Sequence, residues 1–174
     1  MSFERIGGVE IWRGQIAAVR VDRFRHDDGE VVTREVVEHP GAVVIVPFDG
    51  ERVWLVRQPR EVVGEQSLLE LPAGKLDADG EDVLATAKRE LREEVGKSGG
   101  SWRAMTSFYV SPGFSDEMIH AFLATDLRDD PAQAEEDERI EVVAEPLSRL
   151  DEVIRSCRDA KTLTALLWFR AFEL

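Results

Sequence analysis

The spacing of apolar residues changes character along this 174-residue chain. Val9–Trp12, Ile16–Phe24 and Val31–Val37 are short runs rich in β-branched and aromatic residues, separated by Arg13-Gly14-Gln15 and Asp27-Asp28-Gly29. Such runs between turn residues predict strands. His39-Pro40-Gly41 marks a boundary, and Ala42–Phe48 is then apolar throughout, the pattern of a central strand covered on both faces. Asp49-Gly50 predicts a tight turn, with Val53–Arg57 as the antiparallel partner of that strand. Ser67–Leu71 reads as a short strand. From Val83 the period lengthens. Val83, Leu84, Ala87, Leu91 and Val95 recur at helical spacing, and the last four fall in one sector of roughly 80°. Ser98–Ser101 reads as a flexible turn, and Trp102–Val110 and Met118–Ala124 as strands. Pro146–Ser156 and Lys161–Phe172 are expected helices, with Leu163, Leu166, Leu167 and Phe169 packing on the sheet.

The polar face of the Val83–Val95 helix carries the candidate chemistry. Glu90, Glu93 and Glu94 are neighbours there, because residues three and four apart share a helix face. Like charges at that spacing destabilise a helix by about a few tenths of a kcal/mol per pair unless something positive sits among them. A hard divalent cation such as Mg²⁺ is held by carboxylate oxygens, with water and substrate phosphates. Arg89 lies four residues before Glu93 and can orient it, and Gly96 is placed to cap the helix. In a chain with 33% charged residues, such a run is usually only a solvated helix face. The flanks reverse that reading: Leu71-Pro72-Ala73-Gly74 gives a loop before the helix, Glu81 stands eight residues before Arg89, and Gly96 closes the unit.

Glu81, Arg89-Glu90, Glu93-Glu94 and Gly96 resemble the Nudix box, a glycine, then a glutamate, then REUxEExGU with U apolar. Two departures leave the carboxylates untouched: Lys75–Gly80 make the loop after Gly74 longer by one residue, and Lys97 stands where an apolar residue is usual. Ser111-Pro112-Gly113 beyond the box, and the strands before residue 40, are similar to the ADP-ribose pyrophosphatase branch of that family. Read alone, Ser-Pro-Gly is only a turn.

The resemblance implies an α+β fold, an α/β/α sandwich around a central mixed sheet, with an N-terminal antiparallel β-sheet appended. Residues 1–39 would form the appended subdomain, serving dimerisation and part of the nucleotide pocket, and 40–174 the hydrolase domain. It implies metal ligation by the Ala73 carbonyl and by Glu90, Glu93, Glu94 and Glu138. Glu136, in the acidic stretch Asp129–Glu138, is the implied general base, with Glu93 and Arg89 completing the catalytic set. Substrate contacts are implied for Arg60, for Glu117 at the distal ribose, and for Phe24, Glu35 and Trp12; ordinary surface or packing roles are the alternatives. The implied cofactor is Mg²⁺, replaceable by Mn²⁺, with two or more ions. The implied reaction is ADP-ribose plus water giving AMP and ribose 5-phosphate, in a homodimer. Another nucleoside diphosphate sugar, GDP-mannose or ADP-glucose, is the enzyme alternative, and a non-catalytic metabolite sensor is the rival from another class.

Composition narrows the partners. A formal net charge of −13 argues against binding nucleic acid or an anionic membrane. An anionic substrate would be repelled overall, which calls for local cations. Cys157 is the single cysteine, so no internal disulfide forms, and a small buried or half-buried thiol is the natural reading. His120 in a strand is more often packed than catalytic. No apolar run approaches bilayer length, no secretory leader is evident, and a cytoplasmic location is expected.

Overall fold

The first β-branched runs form three antiparallel strands in the order β1-β2-β3: β1 (Phe3–Arg13), β2 (Ala18–His26) and β3 (Val31–Glu38). Gly14 N–H donates to the Ala17 carbonyl at 2.9 Å and closes the first turn. Gly29, at φ 90°, closes the second, where a side chain would be strained. The computed structural model describes residues 1–76, 82–130 and 139–174. These divide into two compact units, Met1–Gly41 with Phe108–Met118, and Ala42–Ser107 with Ile119–Leu174.

In the first unit, Asp22 is buried and ion-paired to Arg5 (2.9 Å) and Arg20 (2.7 Å). Hydrogen bonds from Arg5 outweigh burial and, with Arg20, hold its carboxyl below the ordinary value. Phe108–Met118 joins this unit through β3: Val37 N–H donates to the Phe114 carbonyl at 2.7 Å, and Asp116 accepts from His39 N–H at 2.8 Å.

The second unit holds a mixed sheet in the order β7-β4-β9-β8: β4 (Ala42–Pro47), β7 (Ala73–Lys75), β8 (Lys97–Tyr109) and β9 (Met118–Asp129). β4 pairs parallel to β9 and antiparallel to β7. A second, antiparallel sheet contains β5 (Arg52–Arg60), β6 (Glu65–Glu70) and β10 (Glu141–Pro146), in the order β10-β5-β6. The expected hairpin of Val53–Arg57 with Ala42–Phe48 is therefore corrected. Both edges of β4 are occupied, so β5 packs near β4 through side chains such as Val56 and pairs with the end of that run only by an isolated bridge, Phe48 to Val53.

Helix α1 (Val83–Val95) starts at Asp82, whose side chain accepts from Leu84 N–H (2.8 Å) and Ala85 N–H (3.1 Å). It stops at Gly96, left-handed at φ 69°. Ala87, Leu91 and Val95 pack with Val43 and Ile45 of β4, Val56, Phe122 and Ala124. Fully burying one such leucine is worth about 1.5–3 kcal/mol. Lys97 replaces the apolar residue expected after Gly96 by laying its ammonium 3.9 Å from the Trp54 ring centroid and pairing with Asp129 at 2.7 Å.

Two further helices follow, α2 (Leu150–Ser156) and α3 (Ala160–Phe172). α3 packs on β4, with Phe169 edge-on to Phe48 at 5.2 Å. Leu166 and Phe169 are fully buried, whereas Leu167 is exposed, contrary to expectation. Thr162, Ala165, Leu166 and Phe169 fill the inner sector, and one residue beyond Leu166 turns about 100° away from it. Ser98–Ser101 is also corrected: it lies inside β8, where Gly100 lets the strand approach Asp126 of β9.

Candidate active site

β4 sets the floor. Its Val43 and Val44 pair with Gly74 and Ala73 of β7, and α1 packs on both strands. The backbone before β7 is anchored as well, since Ile45 N–H donates to the Pro72 carbonyl at 2.9 Å. Glu94, on the inner side of α1 and only 8% exposed, accepts the Ala73 N–H at 3.0 Å. Glu90 lies against Gly74 so closely that any Cβ there would fall on its carboxylate. The strap at Ala73-Gly74 and the helix carboxylates are thus fitted to one another atom by atom.

Arg89 sits at the outer edge of this group, ion-paired to Glu90 (2.8 Å) and to Glu93 (2.9 Å). The i to i+4 spacing read from the sequence therefore does bring Arg89 onto Glu93. Arg60 ends β5 and grips the buried Glu70 with two hydrogen bonds, 2.6 and 3.0 Å. The hydrogen bond to Glu70 raises the Arg60 pKa against burial, so this arginine stays charged.

The other candidates lie in the first unit. Phe24 and Glu35 line a cavity of about 740 Å³ there, together with Phe3, Arg5, Arg20 and Arg34. Trp12 lies outside that lining and is 58% exposed. Glu117 belongs to the same unit, with its carboxylate 3.8 Å from His39 Nδ1, which accepts the Gly41 N–H. Glu81, Glu136 and Glu138 lie outside the described residues. The sequence reading did not single out Arg5, Arg20 and Asp22; their signal is the period-two placement of Arg20, Asp22 and Phe24 on β2.

Among the described residues, no three His, Cys, Asp or Glu side chains form a group able to hold a metal ion by themselves. Magnesium-type sites need less, because such ions keep several waters and take one or two carboxylates plus substrate phosphates. Glu90 and Glu94, held against one stretch of backbone, are a donor set of that kind.

A protein-family model described as the NUDIX domain matches residues 38–166. The chain belongs to the Nudix family. An ADP-ribose pyrophosphatase of Bacillus subtilis is 36% identical over 94% of this chain and 90% of its own length. An ADP-ribose pyrophosphatase of Mycobacterium tuberculosis is 47% identical over 73% of this chain, a match that spans 61% of that protein. The fold is that of a crystal structure of an ADP compounds hydrolase, at TM-score 0.83 and 23% identity, covering 98% of this chain and 93% of the other. Nudix hydrolases generally use divalent metal ions, and the carboxylates on α1 suit that chemistry.

Proposed function

We propose that this Nudix hydrolase cleaves the pyrophosphate bond of ADP-ribose, giving AMP and ribose 5-phosphate, with Mg²⁺ as its natural ion and Mn²⁺ as a substitute. The observation that carries the reading is the meeting of Glu90 and Glu94 with the Gly74 and Ala73 backbone. The two pyrophosphatase relatives support the choice of substrate.

In this reading Glu90 and Glu94, with Glu93, the Ala73 carbonyl and Glu138, would hold two or more ions. When bound, such ions would supply positive charge against the phosphoryl oxygens and make an attacking water easier to deprotonate. Arg89 keeps Glu93 and Glu90 oriented and offsets their mutual repulsion. Glu136 takes the proton from the attacking water as its oxygen bonds to phosphorus. The bridging P–O bond breaks, and the departing phosphate keeps the bridge oxygen. Arg60 contacts the substrate from the end of β5, while Phe24, Glu35 and Glu117 receive the nucleoside and the distal ribose. Residues 1–39 act as a dimerisation subdomain that completes the nucleotide pocket, residues 40–174 as the hydrolase domain, and the enzyme works in the cytoplasm.

The test is hydrolysis by the purified protein of ADP-ribose, GDP-mannose and ADP-glucose, each with Mg²⁺, Mn²⁺ or chelator. AMP release from ADP-ribose that stops with chelator is the expected result. Preference for GDP-mannose would move the substrate assignment to another nucleoside diphosphate sugar, and no turnover of any compound would overturn the enzyme reading.

A further inference from the structure

Behind the Ala73-Gly74 strap lies a buried polar chain that none of the catalytic assignments uses. β6 ends at Glu70, so the N–H of Leu71 has passed beyond the strand's ladder, and Leu71 is fully buried. A buried N–H without a partner costs about 1–3 kcal/mol. Here it donates to the hydroxyl of Thr162, at 2.8 Å and from 91 residues away in sequence. That hydroxyl in turn donates to Asp159 Oδ2 at 2.7 Å, and the same oxygen accepts the Thr162 N–H at 2.9 Å as the cap of α3. Thr162 itself is fully buried. Lys161 bridges Asp159 (2.8 Å) and Glu70 (3.4 Å), and Glu70 holds Arg60.

The direction of each hydrogen bond in this chain is set. Leu71 N–H can only donate, and an ionised Asp159 can only accept, so the Thr162 hydroxyl must accept from one and donate to the other. Only a hydroxyl of this size, at this place, serves both. Two residues beyond Leu71, Ala73 N–H binds Glu94, and one further on Gly74 meets Glu90. A displacement of the strap at Leu71 is therefore delivered to the two carboxylates on α1.

We propose that Thr162, oriented by Asp159, is a positioning residue for the candidate active site: its hydroxyl fixes the Leu71–Gly74 strap from the N-terminus of α3 and so sets the distance between the strap and Glu90 and Glu94. This rests on the metal-site reading given above. Lys161 and Glu70 extend the same brace to Arg60, so one buried network holds both the carboxylate side of the site and its arginine.

The test compares Thr162→Val, which keeps shape and loses the hydroxyl, with Thr162→Ser, which keeps the hydroxyl. Mn²⁺ binding to the full chain is read by electron paramagnetic resonance in the absence of substrate, alongside kcat and KM for ADP-ribose with Mn²⁺. Supporting partners of metal ligands typically change affinity or activity by roughly ten- to a hundredfold. Thr162→Val should weaken Mn²⁺ binding and lower kcat within that range with little change in KM, and Thr162→Ser should restore both. A folded Thr162→Val with wild-type Mn²⁺ affinity and kcat overturns the proposal, even if its melting temperature falls. So does a Thr162→Ser that is as impaired as the valine variant; if the valine variant does not fold, the serine variant alone decides, by retaining or losing wild-type Mn²⁺ affinity. Wild-type protein that binds Mn²⁺ but leaves ADP-ribose intact would defeat the substrate reading, while the Mn²⁺ arm still judges Thr162.

Discussion

β1 and β4 are both rich in apolar side chains and use them in opposite ways. All six residues of β4 are buried, whereas β1 buries none of its eleven and leaves Phe3, Val9, Ile11 and Trp12 each more than half exposed. The buried strand carries β7, and with it the backbone that meets Glu90 and Glu94. The exposed strand has no such duty within one copy of the chain. Its apolar side chains are what the proposed homodimer would cover. Hydrophobicity alone thus says nothing of role; what matters is whether an apolar side chain is covered from inside the chain.

Substitutions should separate the two strands cleanly. Ile45→Ala in β4 should cost about 2–5 kcal/mol of stability, as core truncations do, read as a lower midpoint in urea unfolding; a cost near zero would mean that β4 is not the load-carrying strand of this core. Glu94→Gln keeps an acceptor for the Ala73 N–H but removes the charge. It should leave stability nearly intact and reduce turnover of ADP-ribose by roughly a hundredfold or more, beyond what supporting residues give. Normal turnover in that variant would remove Glu94 from the metal ligands. Ile11→Asp on β1 should shift the protein from dimer to monomer in light scattering and make its urea midpoint independent of protein concentration, and an unchanged mass would show that another surface pairs the subunits.

The smallest effect concerns pH. Burial raises the pKa of Asp159, but Lys161 and the Thr162 hydroxyl and amide together outweigh it, and the group ends below its ordinary value of 3.8. A lowered folded pKa adds stability that is fully present above the ordinary value and is lost as pH falls through the folded one. Asp159→Asn should therefore flatten the loss of stability below about pH 4, seen in melting temperatures measured from pH 6 downward. An acid limb as steep as that of wild type would assign it to other carboxylates, Asp22 foremost, whose pKa is also lowered.

The readable parts of this molecule are those whose pattern is local. α1 announced itself by spacing, its stop by Gly96, and its chemistry by Glu90, Glu93 and Glu94, all within the stretch Val83–Gly96. The continuous apolar run of β4 likewise predicted burial on both faces. Which strand pairs with which is not local. The short Asp49-Gly50 turn pointed to a hairpin, but β7 and β9 had claimed both edges of β4. The Leu71–Thr162 hydrogen bond is further still from legible, because neither residue's type nor its neighbours mark a contact across 91 positions. Its only trace is the Asp-x-x-Thr spacing of Asp159 and Thr162, which reads as a helix cap and nothing more. Ser98–Ser101 misled for the opposite reason. Two glycines between serines suggest a turn, yet here they serve close approach between two strands.

The contact between Gly74 and Glu90 bears on heredity as well as on chemistry. Glycine is the one amino acid without a Cβ, so every missense change in its codon, however conservative elsewhere, places an atom where the Glu90 carboxylate lies. In a deep mutational scan of this chain, substitutions at position 74 would have to displace the Glu90 carboxylate, so they would lose turnover before they lose the fold, beside exposed positions such as Val62 that accept almost anything.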